Sequence, residues 1–383
     1  MKILLINLPY YGHVVPTIGL VQELIRLGCE VTYLLPFDWE ETIKASGAVF
    51  SGYQNHRQLA EQIKNAYAAA EKIAAQFDLI LYEQFFFLGK HLSEQYQKPA
   101  VRIFTAPATN KALMQEFIDK GPMSIFKHKW IARAFTKDIA KDIPMKTGNW
   151  LDEIIENPPA LNLVYTLRQY QPYEEEFPDA QYQFLGPSIY ERPSPPLDFT
   201  KGSKPLVYIS LGTVIKGKAS FFRCCVEAFR HEEVDVILSV GNQFDTKKLK
   251  HLPPNIHVYK SVPQTEVLKI TDVFVTHGGM NSISEAFASA VPMVVIPFVS
   301  DQPVNARRIE ALGAGKQLDP KSVNKETLRN AVLSVLSDPS IQGNLTQIQQ
   351  WVLDAPGNRG GAEAVLRYYL EQSQSHGSRA IHT

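Results

Sequence analysis

The chain has little cysteine, no net charge and no long apolar run. Its three cysteines are Cys29 and the adjacent pair Cys224 and Cys225. They fit neither a disulfide framework nor a metal or redox spacing. A reducing, cytoplasmic setting is the simplest expectation. Lys plus Arg number 39 and Asp plus Glu number 39, so no global field favours nucleic acid or an anionic membrane. No apolar stretch is long enough to span a bilayer. The opening M-K-I-L-L-I-N-L-P is apolar for too few residues to be a signal peptide; Asn7 and Pro9 end it, and it reads as a first strand. No G-x-G-x-x-G follows that strand, so a nicotinamide-type dinucleotide site is poorly supported. No Asp-x-Asp stands at a strand end where it would hold a metal. What is present is globular: 45% hydrophobic and 20% charged over 383 residues, enough for two domains with separate cores.

Strand and helix patterns alternate from the start. Strands are expected at Lys2–Leu8, Glu30–Leu35, Asp78–Tyr82 and Ala100–Phe104, with helices over 15–27, 37–46, 58–76 and 88–96 between them. Such alternation predicts a doubly wound α/β sheet. The stretch 117–148 breaks the rhythm; it reads as helical, with Phe126, Trp130 and Phe135 on an apolar face read mainly as core, the alternative being an apolar wall near a cleft for a flat ligand. Strands at 161–166 and 182–185 close the first half. A proline-rich run, G-P-S-I-Y-E-R-P-S-P-P, then reads as a linker. The alternation resumes with strands at 206–211, 234–239, 256–259, 273–276 and 293–296, and helices over 325–336 and 362–374 close the second half. The expected organisation is a domain over 1–190, a linker over 191–204, a second domain over 205–374 and a flexible tail over 375–383. Two α/β halves of this kind bind ligands beyond the carboxyl ends of their strands, facing a cleft.

Several strand ends carry chemistry. The strongest is V-F-V-T-H-G-G-M-N-S-I-S-E, residues 273–285. A buried strand stops at His277, two glycines follow, and a helix starts near Met280. Glycine lets backbone approach a ligand, and the first amides of the helix suit an anion such as a phosphate. Ser282-x-x-Glu285 reads equally as a capping box, and Gly278-Gly279 as a tight turn. His13 follows the first strand, where a general base would stand. Glu83 ends the strand 78–82 in L-I-L-Y-E-Q-F-F-F. A carboxylate on one nitrogen of His13 would fix its tautomer and raise its basicity at the other; a helix cap or a rim charge is the plainer alternative. Ser210-Leu211-Gly212-Thr213 makes a small-residue turn that could face a phosphate. Asp301-Gln302 could read sugar hydroxyls or simply open a helix.

Together, S-V-P-Q, T-H-G-G-M-N-S-I-S-E-A and V-P-M-V-V-I-P-F-V-S-D-Q-P-V-N-A-R-R resemble the donor-binding signature of the UDP-dependent glycosyltransferases of GT-B fold. The Y-G-H-V-x-P loop, the S-L-G-T turn, H-G-G-x-N-S and the D-Q pair come in family order over nearly the whole chain. The bacterial macrolide and flavonoid type is the most similar. The resemblance implies two Rossmann-like domains facing across a cleft. It makes His13 the catalytic base and puts Glu83 where the family usually has an orienting aspartate. His277 matches the histidine on the donor diphosphate, and Gly279, Asn281 and Ser282 positions that wrap the phosphates. Glu285 matches the reader of the ribose, Asp301 and Gln302 the pair on the sugar. Gly212 and Thr213 lie beside the diphosphate, and Val262 matches the backbone that pairs with the base. Two departures stand out. Glu83 adds a methylene to the usual aspartate. Ser261 replaces a tryptophan that stacks on uracil, a contact worth roughly 1–3 kcal/mol in single-stranded nucleic-acid sites; its loss loosens uridine selectivity.

The activity so implied is inverting, metal-independent transfer of a hexose, glucose first, from a UDP-sugar to a hydroxyl of a small lipophilic acceptor, phenolic or macrolide. UDP-sugar is a co-substrate, and no cofactor is expected. Phe85, Phe86, Phe87, Met114 and Phe117 are candidates for the acceptor wall. The expected protein is a monomer or weak dimer without nucleic-acid partners. Two alternatives remain: a sugar-nucleotide epimerase or hydrolase on the same plan, and a non-catalytic sugar-nucleotide-binding partner.

Overall fold

A computed structural model describes residues 1–120, 122–143, 145, 149–189, 196–212, 219–299 and 301–380. The chain forms two units. One gathers the chain up to about residue 190 and everything from Ala355 onward; the other is the stretch between, ending at Asp354.

The first unit carries a parallel sheet of β1 (Lys2–Ile6), β2 (Glu30–Pro36), β3 (Val49–Tyr53), β4 (Leu79–Glu83), β5 (Ala100–Phe104), β6 (Leu161–Val164) and β7 (Tyr182–Phe184). Their spatial order is β3-β2-β1-β4-β5-β6-β7. Strands such as K-I-L-L-I and L-I-L-Y-E are nearly continuous in apolar residues because helices cover both faces of the sheet. The helices are α1 (Tyr11–Arg26), α2 (Glu40–Ala45), α3 (Leu59–Glu71), α4 (Gly89–Gln95), α5 (Lys111–Lys120), α6 (Lys129–Ile139) and α7 (Trp150–Glu156). One core lies on each face: Leu4, Ile6, Ile80 and Tyr82 point to one, Ile3, Leu5, Leu79 and Leu81 to the other.

The second unit repeats the plan with β8 (Leu206–Ser210), β9 (Asp235–Ser239), β10 (Ile256–Tyr259), β11 (Val273–Thr276), β12 (Met293–Val295) and β13 (Gly315–Gln317), in order β10-β9-β8-β11-β12-β13. Its helices are α8 (Ala219–Phe229), α9 (Gln264–Ile270), α10 (Met280–Ala288), α11 (Gln302–Ala311), α12 (Lys325–Leu336) and α13 (Pro339–Asp354).

The last helix, α14 (Gly357–Ala380), departs from expectation. Read as closing the second half, it lies instead on α1 in the first unit, where Ala362, Ala364 and Val365 join the core of β1, β2 and β4. It runs well into the stretch expected to be a flexible tail; 381–383 lie outside the described residues. Small residues permit the approach: a Cβ on Gly361 would come within 2.7 Å of Leu185 and 3.4 Å of Leu20. The face formed by Phe126, Trp130 and Phe135 is also not all core. Phe126 and Phe135 pack on Trp150, whereas Trp130 is 71% exposed.

Candidate active site

Each sheet reverses its strand order once. In the first unit the reversal separates β1 from β4, which pair in parallel with Ile6 beside Tyr82. Loops leaving such neighbours in opposite directions open a crevice at their carboxyl ends. His13 and Glu83 stand there. α1 begins at Tyr11, earlier than expected, so His13 sits in its first turn and not in a loop. Glu83 is the last residue of β4 and wholly buried. His13 Nδ1 and Glu83 Oε1 lie 2.9 Å apart. Glu83 Oε2 accepts the Phe85 amide at 2.9 Å, so both carboxylate oxygens have donors. An ionised carboxylate holds the proton of His13 on Nδ1, which makes Nε2 the basic nitrogen.

Thr105 completes this group. It is the first residue past β5, the strand next to β4. Its Oγ1 lies 3.1 Å from His13 Nδ1 and donates to Glu83 Oε1 at 3.5 Å. Its only mark in the sequence is that of a polar residue just past a buried strand. Asn7 also acts from below, its amide donating to the His13 carbonyl at 2.9 Å and to the Tyr33 hydroxyl at 3.0 Å. The helix start and the ring are therefore fixed separately.

The five aromatic and methionine positions named for an acceptor wall divide. Phe85 stands with its ring edge-on to His13, centroids 4.9 Å apart. Phe117 is half-buried. Phe86 and Met114 are buried in the same core cluster as Ile63, Leu92 and Trp150. Phe87 likewise packs on Trp150, centroids 6.1 Å apart. A run of three phenylalanines signals hydrophobicity but not which ring faces inward.

In the second unit the reversal separates β8 from β11, with Ser210 beside Thr276. His277 follows β11 and is buried, its Nδ1 without a hydrogen-bond partner among the described residues. Burial pushes its pKa down to about 4, so the ring is neutral at ordinary pH. Glycines make room for it. A Cβ on Gly212 would stand 2.5 Å from His277 Cε1, and one on Gly279 2.5 Å from Nε2. Gly278 takes φ +83, a left-handed conformation that turns the chain from β11 into α10. Thr213 lies outside the described residues.

α10 starts after Gly279 with no side chain capping it. The capping box is thus not formed. Ser282 and Glu285 meet Gln264 instead, whose Nε2 lies 3.2 Å from Ser282 Oγ and 2.7 Å from Glu285 Oε2. Gln264 Oε1 accepts from the Tyr208 hydroxyl at 3.0 Å. The amides of Met280, Asn281 and Ser282 therefore form an uncapped helix start next to the buried imidazole, an arrangement suited to an anion. Val262 is buried just before Pro263, the N-cap of α9. Asp301 and Gln302 open α11, but partly serve the fold. Gln302 Oε1 accepts the Phe298 and Val299 amides at 2.8 and 3.0 Å, and Asp301 Oδ2 accepts from Asn305 at 2.8 Å. Asn305 also donates to the Gly278 carbonyl at 2.9 Å and so ties the two turns together.

Comparison with known proteins agrees with this geometry. Residues 198–358 match the family model described as UDP-glucoronosyl and UDP-glucosyl transferase. The NDP-glycosyltransferase YjiC of Bacillus licheniformis is 30% identical, over 95% of this chain and 96% of that protein. The oleandomycin glycosyltransferase of Streptomyces antibioticus is 26% identical, over 94% of this chain and 84% of its own. Among solved structures, the calicheamicin glycosyltransferase CalG4 superposes with a TM-score of 0.84 at 26% identity, covering 97% of this chain and 98% of that one.

Proposed function

We propose a reaction from one premise: the chain belongs to the UDP-glycosyltransferases and is itself a glycosyltransferase. The donor is a UDP-hexose, UDP-glucose first. The acceptor is a hydroxyl of a small lipophilic molecule, phenolic or macrolide; relatives named for oleandomycin and calicheamicin support that class. The transfer is a single displacement that inverts the anomeric carbon and needs no metal ion.

The observation that carries this reading is the His13–Glu83 contact at the reversal of the first sheet. His13 Nε2 takes the proton of the acceptor hydroxyl as its oxygen bonds to the anomeric carbon. The bond from that carbon to the diphosphate breaks, and UDP leaves with the electron pair. Glu83 stabilises the imidazolium; a base so placed is worth about 10²–10⁴ in rate. Charge that gathers on the diphosphate is met by the amides of Met280, Asn281 and Ser282 and by the neutral His277. Preorganised donors of this kind are each worth about 10² or more. Gly212 and Gly279 flank the diphosphate. Val262 offers its backbone to the base, Glu285 reads the ribose, and Asp301 with Gln302 reads the sugar. The name NDP-glycosyltransferase on the relative from Bacillus licheniformis fits the serine at 261, which gives the base no aromatic platform.

The test is mass spectrometry of products from UDP-glucose and a mixed phenol and macrolide panel, with EDTA present. A glycoside from the native protein, reduced about 10²-fold or more in His13→Ala with UDP affinity kept, is the expected result. Consumption of UDP-glucose at the same rate without acceptor would instead identify a hydrolase or epimerase. Binding without turnover on any acceptor would identify a sugar-nucleotide-binding protein.

A further inference from the structure

We propose that the outer face of α6 (Lys129–Ile139), with Ile125 and Lys127 of the turn before it, docks on an anionic lipid bilayer. α6 has two unlike faces. Its inner face is pinned: Ile139 is buried, the Phe135 ring lies 5.0 Å from that of Trp150, and Thr136 accepts the Trp150 amide at 3.4 Å. Lys64 of α3 adds ion pairs to Asp138 at 3.3 Å and to Asp142 at 3.2 Å.

The outer face shows Trp130 at 71% and Ile125 at 53% exposure. Around them Lys127, Lys129, Arg133, Lys137 and Lys141 are all exposed. The stretch 122–143 holds those five cations and two carboxylates, Asp138 and Asp142, both turned to Lys64. Asp138 also lies 3.4 Å from Lys141. Lys127 reaches the Asp119 carbonyl and stands 3.9 Å from its carboxylate. In a chain of zero net charge this stretch is thus locally basic and carries an exposed indole. Basic heads around an exposed tryptophan and an isoleucine are how a helix lies in a lipid interface: the cations meet headgroup phosphates and the apolar side chains enter the acyl boundary.

The chemistry favours this occupant over two others. A nucleic acid would use the cations and could stack on Trp130, but gains nothing from Ile125. A second copy related by a two-fold axis would bring the same cations against themselves. No helix among the described residues is long and apolar enough to cross a membrane, so the contact is peripheral. It uses none of the transfer chemistry, so binding is measured without either substrate.

The probe is co-sedimentation of the full chain with sucrose-loaded vesicles of about 30% phosphatidylglycerol in phosphatidylcholine, against pure phosphatidylcholine, at about 0.1 M salt. The native protein is expected on the anionic vesicles only. Arg133→Glu with Lys137→Glu should weaken binding at least ~10-fold, because each interfacial cation is worth about fivefold. Trp130→Ser, with charge unchanged, should weaken it several-fold. All three positions are exposed, so an unchanged thermal melt confirms folding. Equal binding by native protein and variants, equal binding to both vesicles, or no sedimentation of the native protein overturns the proposal. So does dimerisation in light scattering that Trp130→Ser abolishes, if vesicles are not bound.

Discussion

Glu83 and His13 touch through one oxygen, and the other oxygen is held by the Phe85 amide. Glu83→Gln keeps the shape but removes the charge that favours the imidazolium. The rate with an aliphatic alcohol should fall about 10²-fold, and by less with a phenol, which gives up its proton readily. Equal losses on both acceptors, read as kcat/KM, would rule out the orienting role. Thr105 acts through the same ring. Thr105→Val should lower kcat and move the pH profile, while Thr105→Ser should restore both; a profile that stays put in the valine variant leaves Thr105 as packing only. His277 makes a prediction about stability. Unfolded, its imidazole takes a proton below about pH 6.5; folded and buried, it does so only below about 4. Between those values the unfolded chain holds more protons, so stability falls as pH drops through the window. The total is about 3 kcal/mol, and this group adds no slope above or below. Denaturant titrations at several pH values should show that slope weakened in His277→Asn. The roles given to His13, Glu83 and His277 came from the family resemblance, but the three were visible as candidates in the sequence because each ends or follows a short buried apolar strand. Thr105 was not, because its meaning depends on β5 lying beside β4, a pairing that no local pattern states.

At the scale of elements, the second site is a turn and a helix start that leave space for an imidazole. Gly279 has an ordinary φ of −70, so alanine there meets no backbone strain. Its Cβ would nevertheless fall 2.5 Å from His277 Nε2 and push the ring aside. Gly279→Ala should therefore lower the melting temperature by a few degrees and weaken UDP binding about 10-fold, as titration calorimetry on the folded protein can read; unchanged affinity would show that the imidazole does not serve the donor. The H-G-G motif points to this element, but a tight turn is an equal reading, and only the family resemblance favours the anion site. The elements that escaped notice are those with weak apolar signal. β3 is V-F-S-G-Y at the sheet edge with Val49 exposed, and β13 is G-K-Q, three residues without a hydrophobic side chain. Trp130 was misread for the opposite reason: its helical spacing from Phe126 and Phe135 looked like core, but spacing alone does not say where a stripe ends.

On the scale of the whole molecule, both units place a histidine at the one reversal of strand order, His13 after β1 and His277 after β11. That repetition could be read from the alternation of patterns. The destination of α14 could not: it shows only in the packing of Ala362, Ala364 and Val365 into the first core and of α14 on α1. The consequence is an experiment that separates the units. A chain ending at Asp354 loses Ala362, Ala364 and Val365 from the first core and uncovers Leu20 and Leu185. Losing those side chains costs at least ~3 kcal/mol, or about 10 °C in the melting of a unit of this size. The second unit keeps β8 to β13, His277 and the uncapped start of α10. Calorimetry should thus show one transition lowered by that amount, while UDP affinity stays within about twofold because donor contacts are untouched. Gly361→Leu, which crowds Leu185 without removing any core, should lower the same transition by a smaller step. Loss of UDP binding in parallel with the transition would mean that the donor site depends on α14 and that the two units do not hold their sites independently.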